Sequence, residues 1–268
     1  MPQVLFTAFS NRLDATHIAE RAKSALAGHG VTSAFTQLDV PSGTSVSSDT
    51  LVVSLGGDGT FLRSSHLAHG HDARILAVNL GRVGFLLDVP ADDVVATVLR
   101  ALSSNYFVER LALEIQLEDG RSHFAMNEVV VERKAAGHMV RVTTFVDNEE
   151  FFTYSADGVM VSTPTGSTGY NFSAGGPLVE AELPAMIVTP VAAHFTIDRS
   201  IVVGEHRTIR LRAESKPAVV VADSHVIGEL SPDQSVTIRR SPRAVRVVRS
   251  PNFDMGVRLR ASLREGHA

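Results

Sequence analysis

Leu55 to Arg63, LGGDGTFLR, is the stretch whose residue types and spacing are best suited to chemistry. The apolar run before it, Leu51 to Leu55, predicts a buried strand, and Thr60 to Ala68 predicts a helix. A strand that ends in glycines and turns into a helix is a natural cradle for phosphate. Without Cβ atoms, Gly56, Gly57 and Gly59 let successive N–H groups point at one anion, and the helix N-terminus adds partial positive charge. An acid within such a loop is out of place for anion binding alone. Asp58 makes sense there if it meets a metal ion or takes a proton from an attacking hydroxyl. The competing reading is a tight turn in which Asp58 merely caps the helix.

Two more segments carry polar groups that a core or plain surface does not need. Met126 to Val131 starts a strand with Asn127 and Glu128 side by side. Neighbouring strand residues face opposite ways, so the two are expected to serve different targets unless they sit at the strand's mouth. Asp157-Gly158 leads into a strand and then into Ser162-Thr163-Pro164-Thr165-Gly166-Ser167-Thr168-Gly169-Tyr170, with Ser173-Ala174-Gly175-Gly176-Pro177 beyond. Hydroxyls and exposed N–H groups at a helix start suit sugar or phosphate oxygens, and Asp157 suits a ribose hydroxyl or an exocyclic amine. His66, His69 and His71 cluster after the glycine turn, but histidines near a helix end are more often solvated than metal-bound. No Walker A sequence and no G-x-G-x-x-G occurs.

These segments need elements to hold them. Val4 to Phe9, Val31 to Leu38, Leu51 to Leu55 and Arg74 to Leu80 predict strands, and Asp14 to Leu26 and Ala91 to Leu102 predict helices. The alternation implies an α/β domain over residues 1–103 with a mostly parallel sheet. Ligands of such sheets sit beyond the C-terminal strand ends, where Gly56 to Gly59 and Gly81 to Gly84 both fall. From residue 104 to 248 the pattern becomes short β-branched runs between turn residues, which predicts a β-rich, sandwich-like domain. Its helical candidate is Thr168 to Ser173, and residues 249–268 form a tail that periodicity does not assign.

The 268 residues are 44% hydrophobic and 20% charged, an ordinary globular balance. A net charge of -4 argues against nucleic acid as the main partner. With no cysteine, disulfides and thiolate metal sites are excluded. The N-terminus does not resemble a secretory signal, and no apolar run is long enough to span a bilayer, so a cytoplasmic protein with no membrane partner is expected.

Taken in this order, LGGDGTFLR, VNLGRVGFL, MNEVVVER and ADGVMVSTPTGSTGYNFSAGGPLV resemble the bacterial NAD kinases. GGDGT alone is shared with diacylglycerol, sphingosine and phosphofructokinase families, and the combination is what is specific. The resemblance implies an α/β domain, a β-rich dinucleotide-binding domain and a tail that returns to the first. It implies phosphorylation of the 2′-hydroxyl of NAD's adenosine ribose, with ATP or polyphosphate as donor, a divalent cation such as magnesium, and a homodimer or homotetramer. By motif, Asp58 would be the catalytic base, Gly59 would lie against the nucleotide, Arg63 would help with phosphates and Phe85 would line the pocket. Asn127 and Glu128 would hold the ribose or adenine, Asp157 the nicotinamide-ribose end, and Thr168, Gly169, Tyr170 and Ser173 the adenine side. Three positions depart from the pattern. Gly169 stands for the usual alanine; Asp223-Ser224-His225 stands for Asp-Gly-Gln, which makes His225 a candidate contact; and Arg199-Ser200, after the Thr189 to His194 segment, stands for Arg-Pro. A lipid kinase with the same glycine turn and an inactive dinucleotide-binding regulator are the alternative readings.

Overall fold

In a computed structural model, residues 1–41, 43–81, 86–87, 89–104, 106–135, 137–194, 197–249, 254, 256–257 and 260–261 are described. The elements in chain order begin with β1 (Val4–Ala8), α1 (Leu13–Ala27), β2 (Ser33–Gln37), β3 (Leu51–Gly56), α2 (Asp58–Gly70), β4 (Arg74–Asn79), β5 (Val89–Pro90), α3 (Val94–Ser103) and β6 (Val108–Arg110). There follow β7 (Leu113–Leu117), β8 (Ser122–Ala125), β9 (Glu128–Arg133), β10 (Val140–Val146), β11 (Glu149–Ala156) and β12 (Gly158–Ser162). A 3-10 turn, Thr165–Thr168, leads into the one-turn α4 (Tyr170–Ser173). The last strands are β13 (Ala185–Val191), β14 (Ile201–Gly204), β15 (Ile209–Ala213), β16 (Ala218–Ala222), β17 (His225–Leu230), β18 (Ser235–Arg240) and β19 (Val245–Val248).

Two units result: Met1–Arg110 with Val245–Ala268, and Leu111–Ala244. The first holds a sheet ordered β2-β1-β3-β4-β19-β6, with β5 paired to β4. All its pairings are parallel except β19 to β6. The hydrogen bonds of β6 and β19 place them in this sheet, although both fall within the span 104–248 expected for the second domain. Strands of three and four residues carry too little periodicity to be read alone. On α1, Ala15, Ala19, Ala22 and Leu26 form one buried stripe, part of one apolar cluster with Val4, Phe6, Ala8 and Leu55. The α2 side buries hydroxyls instead. Thr7 Oγ1 lies 2.8 Å from Ser64 Oγ, and Ser64 Oγ donates to the Thr60 carbonyl at 2.8 Å, so neither hydroxyl is orphaned in the core.

The second unit is wholly antiparallel. One sheet runs β11-β10-β15-β18-β7-β8, the other β14-β13-β12-β9-β16-β17. Alternate residues of both, among them Val129, Val131, Val159 and Val161 from one and Ile115, Val142, Leu211 and Ile238 from the other, form one core. The helix expected at Thr168 to Ser173 is a 3-10 turn followed by a single α turn. Its glycines and hydroxyl residues, poor helix formers, account for the short run. The tail lies largely outside the described residues. Among the described residues no helix is long and apolar enough to cross a membrane.

The junction of β3 and α2 is tight. A Cβ on Gly56 would stand 2.2 Å from Thr60 Oγ1 and 2.6 Å from Thr60 Cβ, and Thr60 is itself buried. Gly56→Ala is therefore expected to destabilise the protein by about 1–3 kcal/mol, the range for overpacking a filled core. A urea unfolding midpoint unchanged from wild type would refute this close approach.

Candidate functional site

The glycine turn of the first unit is built as its sequence demands. Gly57 is the N-cap of α2, with extended backbone and no side-chain cap bond, and the Phe61 N–H donates to the Gly57 carbonyl at 3.0 Å. Asp58 is thus the first helical residue, so the capping reading fails. Helix α2 starts two residues before the expected Thr60. The Leu86 N–H donates to Asp58 Oδ1 at 3.3 Å, which brings the chain after β4 to the acid. The Leu80 N–H donates to the Gly56 carbonyl at 3.1 Å and ties the same segment to the strand end. A Cβ on Gly57 or Gly59 would meet nothing within 4 Å, so the backbone here is open to an approaching group. Arg63 is exposed one turn further on, and it lines a cleft of about 340 Å³ with Thr36, Leu38, His66 and Leu67. Phe85 and the rest of Arg82 to Phe85 lie outside the described residues.

In the second unit, Asn127 sits in the bend before β9 and Glu128 is the first residue of that strand. Both are at the strand's mouth, and they do not serve opposite faces. A methyl carbon on Gly169 would lie 3.6 Å from both Asn127 Nδ2 and Glu128 Oε2, so the two side chains converge there. The bend is fixed by its neighbours. Thr163 Oγ1 donates to the Met126 carbonyl at 2.7 Å, the Thr163 N–H to the Asn127 carbonyl at 2.8 Å, and Ser162 Oγ to the same carbonyl at 3.2 Å. A Cβ on Gly166 would fall 2.3 Å from that carbonyl oxygen, so glycine is required for the approach. The hydroxyl-rich run thus acts first as scaffolding. Of its residues, Thr168 bonds back to the Thr165 carbonyl at 3.4 Å, while Tyr170 and Ser173 are exposed.

Further polar groups close the site. Asn171 is fully buried: its Nδ2 donates to the Pro177 carbonyl at 3.0 Å and its Oδ1 accepts from Thr189 Oγ1 at 2.7 Å. Asp157 pairs with Arg133 at 3.1 Å, each side chain about a third exposed. Asp223 turns inward from the β16–β17 turn and accepts the N–H groups of Met126, Asn127 and Glu128 at 2.7, 2.8 and 3.3 Å. His225 is exposed, with Nδ1 2.8 Å from the Asp223 carbonyl. Arg133, Asn171, Thr189 and Asp223 were not singled out as site residues by sequence. Several of the partners that reveal them lie far along the chain, Thr189 18 residues from Asn171 and Met126 97 from Asp223, and only the ER that ends MNEVVVER hinted at Arg133.

Among the described residues, Asn127 Oδ1, Glu128 Oε2 and, in the adjacent turn, Thr165 Oγ1 are buried without hydrogen-bond partners. Unpaired buried polar atoms cost free energy, and a cluster of them marks a place where a ligand would complete the bonding. Burial, and secondarily the Asp223 charge, pushes the Glu128 carboxyl up to about 7. Burial raises the Tyr170 phenol too, with Glu132, Asp157 and Glu128 adding to the effect.

Comparison with known proteins finds a match in each half of the chain. Residues 4–106 match the model of the ATP-NAD kinase N-terminal domain and residues 126–250 that of the C-terminal domain. The NAD kinase of Heliobacterium modesticaldum is 41% identical over 206 residues, 74% of this chain and 73% of the relative. That of Corynebacterium efficiens is 40% identical over 223 residues, 80% and 70% of the two chains. The chain belongs to the NAD kinase family. The crystal structure of the Archaeoglobus fulgidus NAD kinase in complex with ATP covers 98% of both chains at TM-score 0.73 and 27% identity. The yeast NADH kinase complexed with NADH shares the fold, with TM-score 0.82 at 20% identity over 100% of this chain and 89% of that one.

Within the NAD kinase family, the departures acquire physical content. At Gly169 a methyl would stand 3.6 Å from Asn127 Nδ2 and Glu128 Oε2 and a tight 3.3 Å from the Gly166 carbonyl oxygen. Ser200 supplies a hydroxyl, 2.8 Å from Thr189 Oγ1, that extends the Asn171–Thr189 contact. Family membership brings dependence on a divalent cation. Among the described residues, no three His, Asp or Glu side chains gather as a cation cage. Asp58, in the first turn of α2, offers one carboxylate of the kind a small hard cation takes beside phosphate and water oxygens.

The raised Glu128 carboxyl has a stability consequence. The folded state holds the Glu128 proton up to about pH 7, the unfolded state only up to about 4.5, so stability falls as pH rises between those values. A shift of that size corresponds to about 3 kcal/mol. Glu128→Gln removes the titration, so its stability relative to wild type should improve from pH 4.5 to 7 and level off above. Parallel stability–pH curves for the two proteins would refute the burial of an ionisable Glu128.

Proposed function

We propose that this protein transfers the γ-phosphoryl group of ATP to the 2′-hydroxyl of NAD's adenosine ribose, giving NADP and ADP. The observation that carries the reading is Asp58, set at the start of α2 in a glycine turn whose backbone is open to an approaching group, in a chain of this family. The ribose oxygen attacks γ-phosphorus, the bond from γ-phosphorus to the β,γ-bridging oxygen breaks, and the hydroxyl proton passes to the Asp58 carboxylate. Phosphoryl transfer depends mostly on positioning and on stabilising charge, which the N–H groups at the head of α2 and the Arg63 guanidinium are suited to supply. A divalent cation, for which we propose magnesium, neutralises donor phosphate charge when bound, and Asp58 is the acid of the turn that would contact it.

The acceptor dinucleotide is assigned to the second unit. Asn127 Oδ1 and Glu128 Oε2 are buried without partners and would receive its ribose or adenine polar groups. Asp157 would take the nicotinamide-ribose end, and Thr168, Gly169, Tyr170, Ser173 and His225 are the remaining proposed contacts. The Glu128 carboxyl at about 7 is protonated in part of the population at neutral pH and can then donate as well as accept. Homodimer or homotetramer assembly, polyphosphate as a second donor and a cytoplasmic location belong to the same proposal and rest on the family resemblance. The hydroxyl-rich Thr163 to Ser173 segment favours a sugar acceptor over a lipid one.

Incubation with NAD, ATP and magnesium, followed by an enzymatic assay for NADP, tests the reading, and no NADP would defeat it. Asp58→Asn is expected to lower turnover at least about a hundredfold with folding intact, the low end for a general base. Near-normal turnover would remove Asp58 from the chemistry. Asn127→Ala should raise the KM for NAD about tenfold, an unpaired polar contact of about 1–3 kcal/mol, and leave that for ATP nearly unchanged. If the ATP constant moves instead, Asn127 serves the donor.

A further inference from the structure

Asp223 is only 2% exposed, yet it sits in a two-residue hairpin turn, where side chains are usually solvated. Both turn residues, Asp223 and Ser224, have left-handed backbone, with φ of 44 and 66 degrees. That conformation is uncommon for residues other than glycine, and here it turns the Asp223 carboxylate inward. An acceptor-only group then meets three donors: Oδ2 takes the Met126 N–H at 2.7 Å, and Oδ1 takes the Asn127 and Glu128 N–H groups at 2.8 and 3.3 Å. The Asp223 N–H donates back to the Glu128 carbonyl at 3.0 Å, so turn and bend grip each other in both directions.

Two of the three residues gripped, Asn127 and Glu128, have side chains that end in buried unpartnered atoms, Oδ1 and Oε2. We propose that Asp223 is a positioning residue for the acceptor, its carboxylate clamping the Met126–Glu128 backbone so that Asn127 and Glu128 are preset for the dinucleotide. This deepens the NAD kinase reading and rests on it. Bidentate capture of consecutive amides fixes the bend before ligand arrives, so little ordering is left to binding. The charge acts as well, since Asp223 adds to burial in holding the Glu128 proton. The groups around Glu128 are Asp223 in the turn and Tyr170 on α4, with Glu132, Asp157 and Arg133 gathered about Tyr170.

Asp223→Asn tests the clamp. An amide keeps the shape but turns an NH2 toward a backbone N–H and removes the charge. The KM for NAD should rise at least fivefold, while the KM for ATP and kcat stay within about twofold of wild type. The pH at which the KM for NAD changes, near 7 in the wild type through Glu128, should move lower in the variant. Ser224→Gly, which leaves the carboxylate in place and suits the left-handed backbone better, should show neither effect. An unchanged KM for NAD would overturn the inference, as would the equal rise for both substrates or the unmoved pH profile that mere structural damage predicts. If Asp223→Asn does not fold, amide exchange in the wild-type protein decides. Slow exchange at Met126, Asn127 and Glu128 supports the clamp, and fast exchange refutes it. Absence of NADP from the wild-type reaction would instead defeat the NAD kinase reading itself.

Discussion

The polar end of the second unit depends on how one short bend, Met126 to Glu128, is held by its neighbours. Its carbonyls are taken by Thr163 and Ser162, its N–H groups by Asp223. An unpaired peptide group in a buried bend is costly, so irregular backbone survives there only when each donor and acceptor finds a partner. Here the partners come from the end of β12 and the turn between β16 and β17. The strands flanking β9 thereby bring their ends to one place. Gly166 permits the approach because a Cβ would overlap the Asn127 carbonyl.

The first unit meets the opposite demand. Where the bend of the second unit is fully engaged, the glycine turn is left open: Gly57 and Gly59 face empty space, and only Gly56 is wedged against Thr60. One glycine serves packing and two serve access. The acid between them accepts the Leu86 N–H at 3.3 Å, a bond that links it to the chain after β4. The parallel order β1-β3-β4 puts the ends of those strands side by side, the place where open α/β sheets receive ligands.

Function works against stability at Glu128. A carboxyl placed at 6% exposure next to a second carboxylate resists ionisation, and the fold tolerates it through the surrounding core. Such tension is common where a protein keeps polar groups ready for a partner. Asn171 shows the contrasting case: equally buried, it is satisfied by Pro177 and Thr189 and reads as structural.

The sequence by itself determined the α/β character of the first hundred residues, the β-rich pattern after them, the strand–glycine–helix turn with its acid, and the family. Hydrophobic period and glycine spacing lie within a few residues, and motif order is read along the chain without any tertiary contact. It did not show that β6 and β19 join the first sheet, since strands this short are defined by their partners. It left Asn127 and Glu128 with different targets unless they sat at the strand's mouth, and the bend before β9 puts them there, with both tips at Gly169. Asp58 left two local readings open, cap or chemistry, and only the observed N-cap at Gly57 removed the first. Asp223, 95 to 97 residues from the amides it receives, was visible in sequence only as part of a turn. Periodicity reports which face of an element is buried, but which polar groups meet across the fold is decided by tertiary hydrogen bonding.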